Sequence, residues 1–315
     1  MRIRTYAIFI GLLAVLLLSA CGMKAAGPGE DGHNQGADPA AAIQTSNPAV
    51  SVFPKERIPD LPPDIRRIHE RGKLIVAMYA QDRFPYFFVD PAGRLTGSDV
   101  ELARDLAHQL GIQDVEFDRS AQTFDEIIAN VNRGKADMGI SKISVTLNRA
   151  QQVLYSDPYV KLNQAILLNR IQFSRLKAKN GEQIEALRSR ALPIGALGGT
   201  SYMEFAQQSF PQASIRPFDN FTNLIEAVKA GEIIAAYYDE FEFKRYLLDH
   251  PETLIDLQLL VMKERKDDLA IALPPASVNL QQWVNTFLRN RPPIQMEAVL
   301  NTYRDSLPGT KKGGG

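Results

Sequence analysis

The chain has 315 residues, 45% hydrophobic and 23% charged, with 36 basic and 36 acidic side chains. That length suits about two lobes of one globular protein, and a balanced charge with no long basic run gives no electrostatic reason to expect a nucleic-acid partner. Four scattered histidines (His33, His69, His108 and His250) show no ligand spacing, which argues against a metal site, and no cofactor is expected.

At the N-terminus, Arg2 and Arg4 precede an apolar run from Ala7 to Leu18 that leads into Leu18-Ser19-Ala20-Cys21. The run is too short to span roughly 30 Å of hydrocarbon as a helix and suits the core of a signal peptide. Leu-Ser-Ala-Cys resembles the bacterial lipobox, so residues 1–20 read as a lipoprotein signal peptide and Cys21 as the lipidated (palmitate-bearing) end of the mature chain. Without Arg2 and Arg4, 34 basic residues face 36 acidic ones. Cys21 is the only cysteine, so an intramolecular disulfide is excluded and the exported domain must rely on its hydrophobic core. Gly22 carries no inner-membrane retention signal, which favours the outer membrane in a host with two membranes. Residues 21–63 are rich in Gly, Ala, Pro, Gln and Asn and read as a flexible tether, and the tail at 308–315 as disordered.

From Lys73 the strand and helix patterns alternate. Leu74–Met78 reads as a buried strand. Ser98-Asp99-Val100-Glu101 has the form of a capping box, with Leu102, Leu106 and Leu110 on one helical face and Gly111 as its C-terminal stop. Val115–Phe117 returns as a strand. Thr123-Phe124-Asp125-Glu126 is a second capping box, with Ile127, Ile128 and Val131 buried and Gly134 closing the helix, and Ala136–Ile140 completes β-α-β-α-β. This is the pattern of a mainly parallel sheet covered by helices.

The unit recurs 97 positions later: Phe124, Ile127, Ile128, Val131 and Gly134 correspond to Phe221, Leu224, Ile225, Val228 and Gly231. Ile233–Tyr238 is the strand that follows the second copy. Upstream of that copy, Leu192–Ala196 leads into Gly198-Gly199-Thr200-Ser201 and a helix. The same offset sets Lys142, next to Ser141, against Asp239, each just past the C-terminal end of a parallel strand, where open α/β sheets bind ligands. Two lobes facing each other there would form a cleft.

Gly97-Ser98-Asp99-Val100-Glu101-Leu102 with Leu106-Ala107, then Gly134-Lys135-Ala136-Asp137, Ser144-Val145-Thr146-Leu147-Asn148-Arg149 and Tyr155-Ser156-Asp157-Pro158-Tyr159 together resemble family 3 bacterial solute-binding proteins, which serve ABC importers of polar amino acids. The similarity runs from about Lys73 to Asp249 and more weakly beyond. It implies a two-lobed, type II periplasmic-binding-protein-like α/β fold, with two mainly parallel sheets flanked by helices and joined by a hinge. It also implies a monomeric extracytoplasmic receptor with an ABC permease as partner. Lobe 1 would comprise 64–164 and 267–307, and lobe 2 would comprise 165–266. The crossings would lie near Leu162–Leu168 and near Met262–Ala270, where the polar Lys263–Asp268 run also reads as a loop.

Arg149 can grip a carboxylate with a two-pronged guanidinium, as the matching arginine does in the family. Ser144 resembles the family hydroxyl at the ammonium, or is a turn serine. Thr200 and Ser201 open a helix whose free N–H groups favour an anion. Asp239 matches the aspartate that receives the ammonium, and it also suits an N-cap. Phe124 matches a ligand-packing position, or is a hydrophobic staple. Tyr86, in Phe84-Pro85-Tyr86, resembles the family's aromatic turn near the cleft. Ser98, Arg83 and Lys142 depart from the family pattern. The two cations either select an acidic side chain such as glutamate or aspartate, or point to solvent. Ser141 completes the candidate set.

The competing readings are an arogenate-type dehydratase on the same scaffold, with Glu204 or Glu240 as its acid, and a ligand-sensing lipoprotein for a signalling partner. No Ser-His-Asp, Cys-His or metal set supports an enzyme. A lytic transglycosylase would need a further catalytic domain.

Overall fold

The computed structural model describes residues 54–176 and 183–304, so the signal segment, Cys21, most of the tether and the tail lie outside the described residues. The tether is not irregular to its expected end. Lys55–Asp60 forms a 3-10 helix with no buried side chain, and the Arg66 guanidinium donates to Leu61 O at 2.8 and 3.1 Å just beyond it. Pro62 and Pro63 then set the entry to α1 (Pro63–Arg71), which buries Ile65 and Ile68 and stops at Gly72 in the left-handed region.

There follow β1 (Lys73–Tyr79), the small hairpin β2 (Phe88–Val89) and β3 (Leu95–Thr96), and α2 (Ser98–Gln109). Next come β4 (Asp114–Ala121), α3 (Phe124–Asn132), β5 (Met138–Gly139), α4 (Leu147–Ala150) and β6 (Leu154–Tyr155). The chain crosses on β7 (Val160–Asn169) to α5 (Arg170–Ser174), α6 (Gln183–Arg188), β8 (Pro193–Leu197), α7 (Ser201–Ser209) and β9 (Ser214–Phe218). It continues through α8 (Phe221–Ala230), β10 (Ala235–Asp239) and α9 (Glu240–Asp249) and returns on β11 (Leu257–Leu269) to β12 (Ala272–Leu273), α10 (Val278–Arg289) and α11 (Met296–Tyr303).

The strands form two five-stranded sheets, ordered β4-β1-β5-β12-β6 and β9-β8-β10-β7-β11. In each, the first three strands pair in parallel and the fourth, β12 or β7, pairs antiparallel with both its neighbours, so four of the five strands run one way and each sheet is mainly parallel, as read from the sequence. The two halves share one plan. A central strand is flanked by the strands before and after the Phe124 or Phe221 helix, and the glycines closing those helices, Gly134 and Gly231, have φ of 69° and 75°.

Two hydrophobic cores accompany the two sheets. Val160, Leu162 and Leu269 belong to the first, and Ala165, Ile166 and Met262 to the second. The changeover therefore falls between Leu162 and Ala165 on one strand and between Met262 and Leu269 on the other. The pairing of these strands shifts register at the same place, between Met262 and Lys266. The polar Lys263–Asp268 run is strand and not loop; β11 lies at the edge of its sheet, where Lys263, Glu264 and Lys266 face solvent.

The Ser98 capping box does not form. Gly97, at φ 120°, is the N-cap of α2 and Ser98 is already helical. The first-turn N–H groups of Ser98 and Asp99 are satisfied instead by Pro85 O at 3.1 Å and Tyr86 O at 2.8 Å. Thr123 does cap α3, its Oγ1 accepting from Glu126 N at 3.1 Å, while the Glu126 carboxylate reaches back to Gln122 N at 2.6 Å. Among the described residues no helix is long and apolar enough to cross a membrane.

Candidate functional site

The C-terminal ends of β5 and β10 face each other, and Lys142, three residues past β5, meets Asp239, the last residue of β10. Lys142 Nζ donates to Asp239 Oδ2 at 2.9 Å and to Glu242 Oε1 at 3.3 Å. The ammonium also lies 4.8 Å from the Tyr86 ring centre and 5.0 Å from that of Tyr238, so two carboxylates and two aromatic faces surround it. Asp239 is fully buried and caps α9 through Glu242 N at 2.8 Å, the role a residue at a helix entry suits. Glu242 in turn holds Arg245 through Nη2 at 2.7 Å. The four charges cancel. Burial works against the Lys142 charge, but Asp239, Tyr238 and Glu242 outweigh it and hold the ammonium well above the ordinary lysine value. Burial also pushes Asp239 up, whereas at Glu242 the pull of Lys142 and Arg245 overcomes burial and keeps the carboxyl below its usual range.

Two sequence expectations change here. Asp239 does not stand open for a ligand ammonium, because the protein's own lysine occupies it. Lys142 neither points to solvent nor brings an unspent positive charge to the cleft, so the case for an acidic ligand loses one of its two cations. Arg83 lies half-buried at the cleft wall with its guanidinium 4.7 Å from the Tyr79 ring centre.

Asp99 supports this arrangement from beneath. It is fully buried at the start of α2, and its Oδ2 accepts from Lys142 N at 2.7 Å and from the Tyr159 hydroxyl at 3.1 Å. Burial pushes Asp99 up to about 7, against those two hydrogen bonds. The bond to its amide holds Lys142 at a positive φ of 50°. Ser141, expected at the ligand, serves the scaffold, since its Oγ accepts from Tyr79 N at 3.0 Å. Tyr86 is completely buried beneath Lys142, its ring edge-on to Phe241 and its hydroxyl without a hydrogen-bond partner among the described residues.

Arg149 sits on the one-turn α4, whose start Thr146 caps by accepting from Arg149 N at 3.3 Å. Its guanidinium is buried 5.8 Å from the Phe124 ring centre, and Nε reaches the exposed Asp125 carboxylate at 3.1 Å. Phe124 stacks on Tyr79 with ring centres 4.9 Å apart, so it is both the start of α3 and part of the cleft wall. Facing Arg149 from the second lobe is the start of α7. Thr200 caps it through Tyr202 N at 3.3 Å, and the Ser201 hydroxyl donates across the cleft to Ser144 Oγ at 2.8 Å. The Tyr202 hydroxyl donates to Asp267 on β11 at 2.8 Å, and burial pushes that carboxyl up to about 6.

Between Ser144, Arg149, Thr200 and Tyr202 the cleft narrows to about 20 Å³, which suits roughly one water molecule. Alongside it opens a larger interlobe cavity of about 370 Å³, walled by Tyr79, Arg83 and Phe124 on one side and Gly199, Phe221 and Arg245 on the other. Among the described residues no cluster of three metal-ligating side chains is present. Glu242, Tyr238, Arg245 and Asp267 were not foreseen. Glu242 alone carried a signal, a second acid three residues after the capping Asp239 and so at the same helix end.

The model of the bacterial extracellular solute-binding proteins, family 3, matches residues 74–292. The chain belongs to that family. It is 23% identical over 211 residues to ABC transporter arginine-binding protein 1 of Escherichia coli K12, covering 65% of this chain and 79% of that protein. It is 26% identical over 176 residues to the L-cystine-binding protein TcyJ of the same organism, covering 56% and 62% respectively. The amino acid ABC transporter substrate-binding protein AbpA of Streptococcus pneumoniae, solved with L-arginine, superposes with a TM-score of 0.57 at 26% identity, over 76% of this chain and 96% of that one. The ancestral amino acid-binding protein AncCDT-1, described as a precursor of cyclohexadienyl dehydratase, gives 0.57 at 28% identity over 78% and 99%. These solved structures place the chain in the two-lobed type II periplasmic-binding-protein fold.

Proposed function

We propose that this chain is the solute receptor of an ABC importer and holds an amino-acid-type ligand between its two lobes. The observation that carries the reading is the buried Arg149 guanidinium facing the start of α7 across the cleft, with the Ser201–Ser144 hydrogen bond joining the two walls. A carboxylate there meets a two-pronged cation from one lobe and helix N–H groups from the other, so binding favours the closed form through contacts that only closure completes. Strands β7 and β11 are the hinge. Relatives named for arginine and cystine support the amino-acid class. The receptor reading is also favoured over a dehydratase by where the acids lie. Glu204 is bound by Asn148 and Gln208, Glu240 by Asn163 and Lys244, and Asp239 and Glu242 by Lys142.

The mature protein, screened by thermal shift and then calorimetry, should bind at least one polar amino acid with a Kd in the micromolar range or tighter. Binding of sugars in preference to every amino acid would overturn the assignment. The lipobox makes Cys21 the anchor to the membrane, the outer one in a two-membrane host. Cys21→Ser should leave an unprocessed or mislocalised precursor, and a processed, acylated variant still fractionating with membranes would rule the anchor out.

A further inference from the structure

Lys142 is an unusual lysine. Its side chain is 4% exposed, its backbone lies in the left-handed region, and its amide is pinned there by Asp99. The surroundings of its ammonium, two carboxylates and the faces of Tyr86 and Tyr238, are the chemistry that receives a free primary ammonium. Here the first lobe supplies that ammonium to a cage whose acids belong to the second. The cage adjoins the narrow space between Arg149 and Thr200, because Lys142 and Tyr238 both line it.

We propose that Lys142 is a tethered competitor: its ammonium fills the place where an amino acid held by Arg149 would put its own, and by filling it clasps the lobes together when no solute is bound. Two consequences follow from the geometry. A solute ammonium must displace Lys142 before it can reach Asp239, so the measured affinity is lower than the cage itself would give, by the fraction of protein in which the lysine is withdrawn. A solute without an ammonium leaves Lys142 in place and escapes that competition, so the lysine narrows the preference for amino acids over their deaminated analogues. The neighbouring cavity of about 370 Å³, bordered by Tyr238 and Glu242, gives the displaced side chain room. The competition arm rests on the amino-acid reading above; the clasp does not.

The test compares the full mature protein with Lys142→Ser and with the double variant Lys142→Ser/Asp239→Asn. The double variant removes both charges, keeps an N-cap for α9 and leaves Glu242 its Arg245 partner, so it folds even if the single change strands too much buried charge. Calorimetry uses the tightest amino acid found in the screen and the 2-oxo acid of the same side chain. Lys142→Ser should bind the amino acid at least tenfold tighter while its affinity for the oxo acid changes less than threefold. Small-angle scattering without solute should show a larger radius of gyration for both variants than for the parent. A folded Lys142→Ser that binds the amino acid no tighter than the parent overturns the competition, and solute-free radii equal to the parent's overturn the clasp. If no amino acid binds any of the proteins, the amino-acid reading falls, and scattering still decides the clasp.

Discussion

Arg149→Ala should weaken amino-acid binding roughly 30- to 5,000-fold, equivalent to about 2–5 kcal/mol, the usual cost of stranding one partner of a desolvated charge pair. The size follows from where the guanidinium lies. Its side chain is 8% exposed, against the Phe124 ring, so a carboxylate meeting it is screened little by solvent. Its protein partner does not compete strongly. Asp125 is 79% exposed, and such an ion pair contributes little and yields readily to a better one. For the same reason the substitution should leave the fold nearly intact, which separates a binding defect from a folding one. Lysine is no substitute, because a point charge cannot form two parallel hydrogen bonds to one carboxylate. Calorimetry of the parent and variant checks this, with thermal melting as the control for folding. An affinity within threefold of the parent would remove Arg149 from the site.

Gly97→Ala should destabilise the protein by about 3 kcal/mol or more, a fall in Tm of roughly 6–12 °C for a chain of this size. At φ 120° and ψ 168°, Gly97 occupies backbone space that is essentially closed to residues with a Cβ. A Cβ there would also lie 2.4 Å from Tyr86 O and 2.8 Å from Phe87 N, and backbone atoms cannot step aside as a side chain can. Relief would pull the start of α2 away from the Pro85 and Tyr86 carbonyls that hold its first N–H groups, and with it Asp99, on which Lys142 rests. Gly93→Ala provides the contrast. Its φ is 78° but nothing lies within 4 Å of the added carbon, so only the backbone cost of about 1–2 kcal/mol applies. Denaturant unfolding of the two variants measures both, and equal losses would show that the Tyr86 contact is not what requires glycine at position 97.

These two sites also mark how far the sequence could be read. Helix faces and stops were legible because they are local. Leu102 and Leu106 are fully buried as their spacing requires, and Gly111, Gly134 and Gly231 all take positive φ. The offset of 97 was legible because the halves share a plan, and it put Lys142 opposite Asp239, which are in contact. What escaped depends on groups distant in sequence. Ser98 has the spacing of a capping box, yet the carbonyls of Pro85 and Tyr86, brought in by the preceding turn, satisfy the N–H groups first and move the helix start to Gly97. The Lys263–Asp268 run is polar because Lys263, Glu264 and Lys266 face solvent on an edge strand and the buried Asp267 accepts from the Tyr202 hydroxyl. Whether Lys142 faced solvent or the cleft could not be decided without the positions of Glu242, Tyr86 and Tyr238, which come from three separate elements or turns.

The Lys142–Asp239 contact also constrains how this sequence can drift. The two residues lie at matching places in the two halves and are both buried, so neither is free to change alone. Loss of the lysine strands the fully buried Asp239 carboxylate and leaves Glu242 only Arg245, while loss of the aspartate leaves the lysine to Glu242, which already serves Arg245. A lineage moving between this cleft and one with a small residue at 142 therefore meets a rugged stretch in which the effect of each substitution depends on whether the other has already occurred. Residue 142 and residue 239 behave as one heritable unit, and the order of changes, more than their number, decides which clefts are within reach.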